Sequence, residues 1–506
     1  MLARVPSAAL LGIDAYLVEV EVDVAGGIPT FVTVGLPDTS VRESKERVRA
    51  ALRNCGYNFQ SRKITVNLAP ADRRKEGSAF DLAIALGLLA LSGVVPHQEL
   101  RNFLFLGELM LDGRLKPVRG VLSSCVLAKE MKFMGIVVPK ENEKEAALVQ
   151  EVAVYGFDNL PQVVEFLRSP EEYSPAHYTL DELLSQPSYG VDFHEVKGQK
   201  HVKRALEVAA AGSHNVLLIG PPGSGKTMLA RRLPTILPPM CFEEIIEVTQ
   251  VYSASGMLGE KGALVVRPFR SPHHTITHAG MVGGGVIPRP GEVSFAHHGV
   301  LFLDELPEFK MSVLEDLRQP VEDGKITVSR SSMSITFPSS FMLVAAMNPC
   351  EDVFRGLASS ELDCTDSQRA RYYSKISGPL LDRIDIQVEV PEVKFRDIVS
   401  RDEDESSAEI KKRVIKARER QFKRYKGKGI FSNSQMRERE INEYCRVDER
   451  GKELLEMAVN RLGFSARAYT RVLKVSRTIA DLDGEDEITP VHISEAIQYR
   501  MMDRYF

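Results

Sequence analysis

Hydrophobic and polar residues alternate near the start of the chain with the period of a half-buried strand. Residues 18–24 read Val-Glu-Val-Glu-Val-Asp-Val, and 30–34 is a second strand segment that pairs back after a glycine turn. The charged, amphipathic stretch 40–54 predicts a helix, whereas 80–92 is apolar on nearly every side and predicts a buried helix. Three further strands are predicted at 63–68, 103–109 and 135–138, and a further helix is predicted at 122–131. The pattern predicts an α+β domain over residues 1–168.

The pattern changes twice further along the chain. Periodicity fades from Pro161 to Pro187, where Pro and Ser become frequent, and a linker is predicted over residues 169–191. Short apolar runs then alternate with helical stretches and predict an α/β domain over 192–395. Residues 396–506 are predicted to form a helical domain. Its clearest helices are predicted at 451–482 and 489–502.

Composition narrows the class of protein. With 506 residues, of which 43% are hydrophobic and 26% charged, the chain has the make-up of an ordinary globular protein with about three domains. The net charge of −4 provides no global attraction for nucleic acid, so any such binding must use local basic surfaces. The six cysteines are scattered, and the N-terminus matches neither a signal peptide nor a membrane span. We therefore expect a reduced, cytoplasmic protein with no membrane partner.

A complete phosphate-binding loop follows the apolar run 216–219. Glycines let backbone amides approach a polyphosphate, and the helix that follows adds the partial positive charge of its N-terminus. Lys226 is expected to bridge the β and γ phosphates of ATP, and Thr227 to place its hydroxyl on Mg²⁺. Because the two prolines offer no amides, the donors are expected from Gly223 onwards. The predicted nucleotide-binding residues of the loop are Gly220, Pro221, Pro222, Gly223, Ser224, Gly225, Lys226 and Thr227.

A second apolar strand, predicted at 299–305, ends in two acids, Asp304 and Glu305. Downstream of a phosphate loop this arrangement is the Walker B pattern. Asp304 is expected to hold Mg²⁺ through water, and Glu305 to orient and polarise the water that attacks the γ phosphate. The two patterns together predict a magnesium-dependent ATPase site.

The segment 242–298, between the two nucleotide motifs, is rich in glycine and histidine. Its histidines are His273, His274, His278, His297 and His298. Neutral imidazoles bind Zn²⁺, but two of these residues are adjacent, and no cysteine or clear carboxylate lies at ligand spacing. We therefore favour glycine-rich loops that face a ligand or a neighbouring subunit over a metal site.

Two basic stretches are candidates for contact with DNA. Residues 326–337 alternate around a two-serine turn and predict a β-hairpin, which Lys325 and Arg330 make basic. Residues 411–428 carry ten lysines and arginines. The second stretch suits phosphate contacts and an ordinary solvated helix face equally well.

The first domain resembles the ribosomal-S5-like domain shared by magnesium-chelatase-related proteins, Lon protease and RadA. The stretches that carry the resemblance are 34–38, 66–72 and 75–81. The Lon relatives use a Ser nucleophile and a Lys base, and matched by register these positions fall on Ala79 and near Leu122. Ser78 is one residue away, so its side chain is expected to point elsewhere. The resemblance therefore favours a structural or DNA-contacting domain over a protease.

Nearly the whole chain resembles the YifB/ComM group of magnesium-chelatase-like AAA+ ATPases. The resemblance rests on the combination of the S5-like domain, the linker, the phosphate loop, the histidine-rich insert, Leu-Phe-Leu-Asp-Glu, Asn-Pro and the helical lid. It implies that Asn348 is sensor 1, which helps to hold the hydrolytic water. It implies that Arg383 is an arginine finger for the γ phosphate of a neighbouring subunit, and that Arg467 is sensor 2, which touches the nucleotide in cis. It also implies a hexamer that drives branch migration, or helicase-like remodelling, of single-stranded or branched DNA in recombination and natural transformation.

The chain departs from this group at a possible zinc knuckle. Relatives commonly carry two Cys-x-Cys pairs after the Asn-Pro motif. Here Cys350 and Cys364 remain, whereas Asp352 and Leu362 occupy the other two places. Two thiolates cannot complete a tetrahedral site, so no zinc is expected.

The alternative to a DNA motor is an ATP-dependent remodeller of a protein or of a metal-chelatase-type complex. Such a remodeller would share every nucleotide-binding residue named above. It would differ in its response to DNA, and the chelatase ATPase subunits themselves lack the N-terminal domain.

Overall fold

The computed structural model of the protein describes residues 2–57, 62–179, 182, 189–259, 262–330, 333–350, 365–376, 378–393, 404–462 and 464–500. These residues form two compact units. The first unit takes its residues from 1–186 and 241–265, and the second takes its residues from 187–240 and 266–506. Among the helices of the described ranges, none combines the length and the apolar character that crossing a membrane requires.

A four-stranded sheet is the largest sheet of the first unit. In order across the sheet, its strands are Leu2–Leu11, Asp14–Ala25, Lys63–Ala69 and Thr30–Val34. The first three pair antiparallel, and the fourth pairs parallel with its neighbour. The predicted helices are confirmed at Thr39–Asn54 and Asp81–Leu91, and nearly every residue of the second is buried. A Cβ added at Gly87 would lie 2.6 Å from Val22 Cγ2, so glycine lets this helix approach the sheet closely.

A parallel sheet forms the other half of the first unit. Its strands are Phe103–Phe105, Gly135–Pro139 and Ala153–Phe157. The other elements are the strands Glu108–Leu109 and Leu115–Lys116 and the helices Val121–Glu130, Glu143–Ala146 and Leu160–Arg168. The last helix lies where periodicity was predicted to fade into a linker. Asn159 caps it by accepting a hydrogen bond from the backbone N–H of Gln162 at 3.1 Å, and Pro161 stands in its first turn, so the helix has local signals but is short.

The helix Phe242–Ser255 also belongs to the first unit, although the sequence predicted one continuous domain over 192–395. The backbone N–H of Gly120 donates to the carbonyl of Ser253 at 3.2 Å. The hydroxyl of Ser253 donates to the buried carboxylate of Glu145. These contacts join residues more than a hundred positions apart in the chain, which hydrophobic periodicity does not report.

A five-stranded parallel sheet is the centre of the second unit. In order across the sheet, its strands are Phe269–Arg270, Val300–Leu303, Met342–Met347, Val216–Ile219 and Ile386–Glu389. The three inner strands are buried at every position, as their continuous apolar runs predicted. Because all five strands are parallel, the residues that follow them meet at one edge of the sheet.

Helices and two small ladders complete the core of the second unit. The helices Lys200–Gly212 and Lys226–Ile236 stand before and after the phosphate loop. The predicted hairpin is confirmed, with Lys325–Arg330 pairing antiparallel to Met333–Pro338. Gly283–Gly284 pairs with Arg289–Pro290 within the histidine-rich insert. The shorter helices are His278–Val282, Glu292–Phe295, Met311–Asp316, Arg318–Asp323, Asp366–Tyr373 and Gly378–Leu381.

The helical domain predicted at the end of the chain is present in the second unit. Its helices are Ser407–Arg424, Glu438–Tyr444, Glu449–Leu462, Ala466–Asp483 and Pro490–Gln498. The stretch predicted to be helical at 451–482 is confirmed as helical and consists of two helices. The second of them begins where the hydroxyl of Ser465 accepts a hydrogen bond from the backbone N–H of Ala468 at 3.2 Å, an N-cap that the periodicity alone did not reveal.

Candidate nucleotide-binding site

The phosphate loop has the backbone that its glycines predict. Gly223 and Gly225 have φ values of 80° and 91°, in the region that favours glycine. A Cβ on Gly220 would lie 2.1 Å from the carbonyl oxygen of Val390, so this position also needs glycine. The helix Lys226–Ile236 begins directly after the loop, so its free N–H groups face the loop. The loop therefore suits a polyphosphate.

Lys226 is held over this loop. Its ammonium group donates to the carbonyls of Gly220 and Pro221 at 2.7 and 2.8 Å, and to Oδ1 of Asn348 at 3.0 Å. Asn348 is close because the strands 216–219 and 342–347 are parallel neighbours, with Ile219 opposite Met347. The predicted phosphate-binding lysine and the predicted sensor 1 thus lie in hydrogen-bond contact.

Thr227 and Asp304 also come together. The hydroxyl of Thr227 donates to Oδ2 of Asp304 at 2.7 Å, and the backbone N–H of Glu305 donates to Oδ1 of Asp304 at 3.0 Å. A hydroxyl and a carboxylate beside a phosphate loop are the hard oxygen donors that Mg²⁺ prefers. These residues therefore fit the magnesium site that the sequence predicts.

Glu305 stands in an unusual backbone conformation for a residue other than glycine, with φ 52° and ψ 51°. Its carboxylate lies 3.3 Å from Nδ1 of His274, and its side chain is 58% exposed. Strained residues of this kind cluster at functional sites, because the fold must hold them there. His274 is a site residue whose role the sequence did not predict, since only its adjacency to His273 was visible.

The insert histidines find individual partners within the second unit. The rings of His273 and His274 lie 4.1 Å apart, and Nδ1 of His273 is 2.9 Å from the hydroxyl of Thr275. His278 pairs with the carboxylate of Asp316. Nδ1 of His297 accepts a hydrogen bond from the backbone N–H of Ser340 at 3.0 Å. This distribution agrees with loops that line a site and its surroundings.

Arg467, in the lid helix Ala466–Asp483, reaches the turn that carries Arg383. Arg383 pairs with Glu322 and donates to the carbonyl of Pro379, and its Nε has no hydrogen-bond partner among the described residues. Arg467 donates to Asp382 at 2.7 Å. The hydrogen bond from Arg383, followed by the charges of Arg383 and Arg467, holds the pKa of Glu322 below its usual value. The two arginines, each paired with a carboxylate, therefore belong to one cluster of charged side chains, called the arginine cluster below.

This cluster lies away from the phosphate loop of its own chain. The strands 216–219 and 386–389 are parallel, with Val216 opposite Ile386. Arg383 precedes its strand, whereas Gly220 follows the other, so the two residues lie at opposite edges of the sheet. Arg467 pairs with Asp382, and the cis contact with the nucleotide that the family resemblance implies for it stays a prediction. The lid helix packs in a way that the motif alone did not indicate.

The predicted DNA contacts lie on the surface of the hairpin. Lys325 and Arg330 are exposed, while Ile326 and Val328 between them are buried. The side chains of the hairpin therefore divide into a buried face and a solvent face, and both cations are available to a partner.

Much of the charge in the basic stretch 411–428 is paired, mostly within the lid and in one case with the core. Arg413 pairs with Glu207 and Glu405, and Arg424 pairs with Asp481. Further pairs join Arg420 to Asp486 and Lys428 to Glu443. These ion pairs thus account for much of the charge of this stretch, as expected of an ordinary helix face. The exposed lysines outside these pairs are Lys412, Lys416, Lys423 and Lys426.

The Ser–Lys pair of a Lon-type protease is not assembled at the matching positions. The hydroxyl of Ser78 donates to the carboxylate of Glu108, and the ammonium of Lys75 donates to the carbonyls of Pro70 and Arg73. The backbone N–H of Leu122 donates to Glu145 at 2.8 Å. Of the zinc-knuckle positions, Asp352, Leu362 and Cys364 lie outside the described residues.

Three family profiles match consecutive parts of the chain. The profile of magnesium chelatase, subunit ChlI matches residues 192–398. The profile of subunit ChlI of Mg-chelatase matches residues 20–142, and that of the ChlI C-terminal region matches residues 404–500. Together they cover both described units.

Similarity to individual proteins extends over the full length. The chain is 44% identical over 507 residues to the competence protein ComM of Haemophilus influenzae, covering 99% of this chain and 98% of ComM. It is 44% identical over 506 residues to YifB of Salmonella typhimurium, again covering 99% of this chain and 98% of the relative. Lon protease 2 of Bacillus subtilis is 30% identical over 209 residues, which are 40% of this chain and 33% of that protease.

Proposed function

The chain belongs to the YifB/ComM group of magnesium-chelatase-like AAA+ ATPases, and we propose that it is an ATP-hydrolysing ring motor that acts on DNA. Family membership implies the use of ATP and Mg²⁺. The observation that carries the hydrolysis of ATP in this proposal is the meeting of the two nucleotide motifs. Lys226 contacts Asn348, and Thr227 contacts Asp304 beside Glu305, at the edge of the sheet where the strands end.

Each residue of this cluster has a role that its chemistry allows. Lys226 exchanges the loop carbonyls for phosphate oxygens when ATP binds, and Thr227 and Asp304 hold Mg²⁺. The metal, when bound, neutralises charge on the phosphates. Glu305 polarises the attacking water, and Asn348 helps to hold that water in line with the γ phosphate.

The arginine cluster supports action between subunits. Arg383 and Arg467 are placed at the sheet edge opposite their own phosphate loop, so a neighbouring subunit in a ring offers the nearest polyphosphate. There the γ phosphate competes with Glu322 for Arg383, and the guanidinium offsets the charge that develops during hydrolysis. A hexameric ring, as in the family resemblance, would place one such cluster at each interface.

DNA is the partner that we propose, with branch migration or helicase-like remodelling during recombination or transformation as the activity. The relative from Haemophilus influenzae is a competence protein, and the exposed Lys325 and Arg330 give the hairpin a surface for phosphates. Both points concern DNA, whereas the nucleotide site alone does not distinguish a DNA motor from other motors.

The test is the steady-state ATPase rate of the full-length protein without DNA and with single-stranded, duplex or four-way-junction DNA, at two salt concentrations. We expect stimulation that weakens as salt rises, because phosphate contacts release counterions. Lys226→Ala is the blank for contaminating activity, and turnover at the wild-type rate in that variant would contradict the assignment of the site.

A second candidate is the remodelling of a protein or of a metal-chelatase-type complex. It is favoured by the profiles, which describe magnesium chelatase subunits. An ATPase rate that is the same with every DNA would support this candidate over the DNA motor.

A further inference from the structure

His214 is a fully buried histidine immediately before the strand that leads into the phosphate loop. It is 0% exposed. Its Nδ1 lies 3.1 Å from Oδ2 of Asp385, and its Nε2 lies 2.8 Å from the hydroxyl of Thr478. A Cβ on Gly212 would lie 2.2 Å from Nε2, so the chain leaves this space for the imidazole. The ring therefore bridges the core and the lid helix Ala466–Asp483.

Asp385 is the acid that this histidine holds. Its other carboxylate oxygen lies 3.3 Å from Nε of Arg471, and both side chains are largely buried. Burial is the largest influence and raises the pKa of Asp385, but the hydrogen bond and charge of His214, followed by the charge of Arg471, outweigh it and hold the pKa at about 2. Asp385 is therefore ionised at neutral pH, and its position depends on both partners.

The turn 382–386 carries Arg383, pairs with Arg467 through Asp382, and is also held by the residue that follows His214. Nδ2 of Asn215, the neighbour of His214, donates to the carbonyl of Arg383 at 2.9 Å. The carbonyl of Asn215 accepts from the backbone N–H groups of Asp385 and Ile386, each at 3.0 Å. The two residues that begin the phosphate-loop strand thus set the backbone from which Arg383 projects.

We infer that His214 is a positioning residue for the arginine cluster, and that it acts on hydrolysis in the neighbouring subunit. Its contacts are with Asp385 and Thr478, so it works through the turn 382–386. This inference rests on the proposed role of Arg383 in trans. It adds that the buried pair of Asp385 and His214 sets the position in which Arg383, two residues before Asp385, is presented to the neighbouring subunit. A shift of about 1 Å in a reacting group can lower a rate by about a hundredfold, so small changes at the pair are measurable.

Two substitutions of His214 test the roles of its two ring nitrogens separately. An asparagine amide reaches about as far as Nδ1, and a glutamine amide about as far as Nε2. His214→Asn thus keeps a donor for Asp385, whereas His214→Gln keeps a partner for Thr478 and loses the bond to the acid. We expect His214→Asn to retain most of the ATPase rate and His214→Gln to lose about tenfold or more. His214→Gln is expected to melt at a lower temperature than His214→Asn, because it leaves the buried carboxylate of Asp385 without one donor, whereas binding of a fluorescent ATP analogue is expected to match the wild type closely in both.

Mixing subunits of two variants tests whether His214→Gln impairs hydrolysis in its own subunit or in the neighbouring one. Glu305→Gln subunits keep an intact arginine cluster but cannot hydrolyse ATP at their own phosphate loop. His214→Gln subunits keep their own phosphate loop and Glu305 but have a misplaced arginine cluster. Mixed rings of these two variants are therefore expected to recover hydrolysis that neither variant shows alone. The reference is a mixture of Arg383→Ala with Glu305→Gln. In addition, His214→Gln in an Arg383→Ala background is expected to lower the rate no further.

The outcomes separate the two claims. If the reference mixture recovers activity and the His214→Gln mixture does not, His214 supports its own phosphate loop and the inference is wrong. Wild-type activity in His214→Gln alone would also overturn it. If the reference mixture itself shows no recovery, the trans role of Arg383 fails, and that failure belongs to the proposed function. Should His214→Gln not fold, Arg471→Gln removes the other partner of Asp385 and is tested in the same mixtures with the same criteria.

Discussion

At the scale of single residues, the site depends on side chains that stand far apart in the chain. Nζ of Lys226 and Oδ1 of Asn348 are separated by 122 positions and lie 3.0 Å apart. Thr227 and Asp304 are separated by 77 positions and lie 2.7 Å apart. Both pairs come together because the three parallel strands 300–303, 342–347 and 216–219 end at the same edge, so the chemistry follows from the order of the strands.

Glu305→Gln is expected to bind ATP with near-normal affinity and to hydrolyse it at least about a hundredfold more slowly, because the amide cannot accept a proton from the attacking water. The measurement pairs ATP binding with single-turnover hydrolysis. Glu308→Gln is the matched control, since Glu308 lies three positions away on the surface and pairs with Lys375 at 3.3 Å. Hydrolysis at the wild-type rate in Glu305→Gln would remove this residue from its role.

Gly220→Ala is expected to lower both stability and nucleotide affinity. Its Cβ would meet the carbonyl of Val390 at 2.1 Å, and Val390 pairs through its N–H with Ile219 at 2.7 Å. We expect a loss of about 1–3 kcal/mol in the free energy of unfolding, measured with urea. Gly190→Ala is the control, because nothing lies within 4 Å of a Cβ at that position. Equal stability of the two variants would contradict the close approach.

At the scale of elements, the hairpin Lys325–Arg330 with Met333–Pro338 combines a buried face and a charged surface. The long basic helix Ser407–Arg424 does not separate its charge in this way, because several of its arginines are bound to acids of the core and lid. The hairpin presents both of its cations on its solvent face, which makes it a candidate for contact with DNA beside the exposed lysines of the lid.

The double variant Lys325→Ala/Arg330→Ala is expected to keep the ATPase rate without DNA and to lose much of the stimulation by DNA. Removing two phosphate contacts should also reduce the salt dependence of DNA binding, by about two in the slope of log K against log salt. Lys423→Ala/Lys426→Ala is the control, since it removes the same charge from exposed lysines of the lid. Loss of stimulation in the control alone would move the DNA contact to the basic stretch 411–428.

At the scale of the whole molecule, the second unit carries the two predicted groups of ATPase residues at opposite edges of its sheet. The phosphate loop, Asp304 and Glu305 lie at one edge, and Arg383 with Arg467 lies at the other. In the ring that we propose, each interface between subunits would join one group of each kind.

Arg467→Ala is expected to behave as Arg383→Ala does and to impair hydrolysis in the neighbouring subunit. Its mixture with Glu305→Gln should therefore regain activity, measured as the ATPase rate of the mixed rings. Arg461→Ala, a change in the preceding lid helix, is the control. If the Arg467→Ala mixture shows no recovery while the Arg383→Ala mixture does, Arg467 acts in cis, as the family resemblance implies.

Local patterns predicted the elements of the site well. The strand 216–219, the glycine loop, the acids at the end of the strand 300–303 and the basic hairpin depend on short-range requirements for backbone conformation and burial, and the structure confirms these elements. The helix Leu160–Arg168 was missed because it is short and its two signals stand in a stretch rich in polar residues and proline.

The sequence by itself predicted which residues are candidates for phosphate and Mg²⁺, because a glycine loop with a lysine, followed by a strand that ends in carboxylates, has few other uses. Only the tertiary structure decided which unit a helix joins and which distant residues come into contact. It assigned the helix Phe242–Ser255 to the first unit, brought His274 to Glu305, and placed Arg467 beside Asp382 and His214 beside Asp385. Each of these contacts joins separate elements of the chain, and its energy comes from packing and charge pairing between them, which no local pattern encodes.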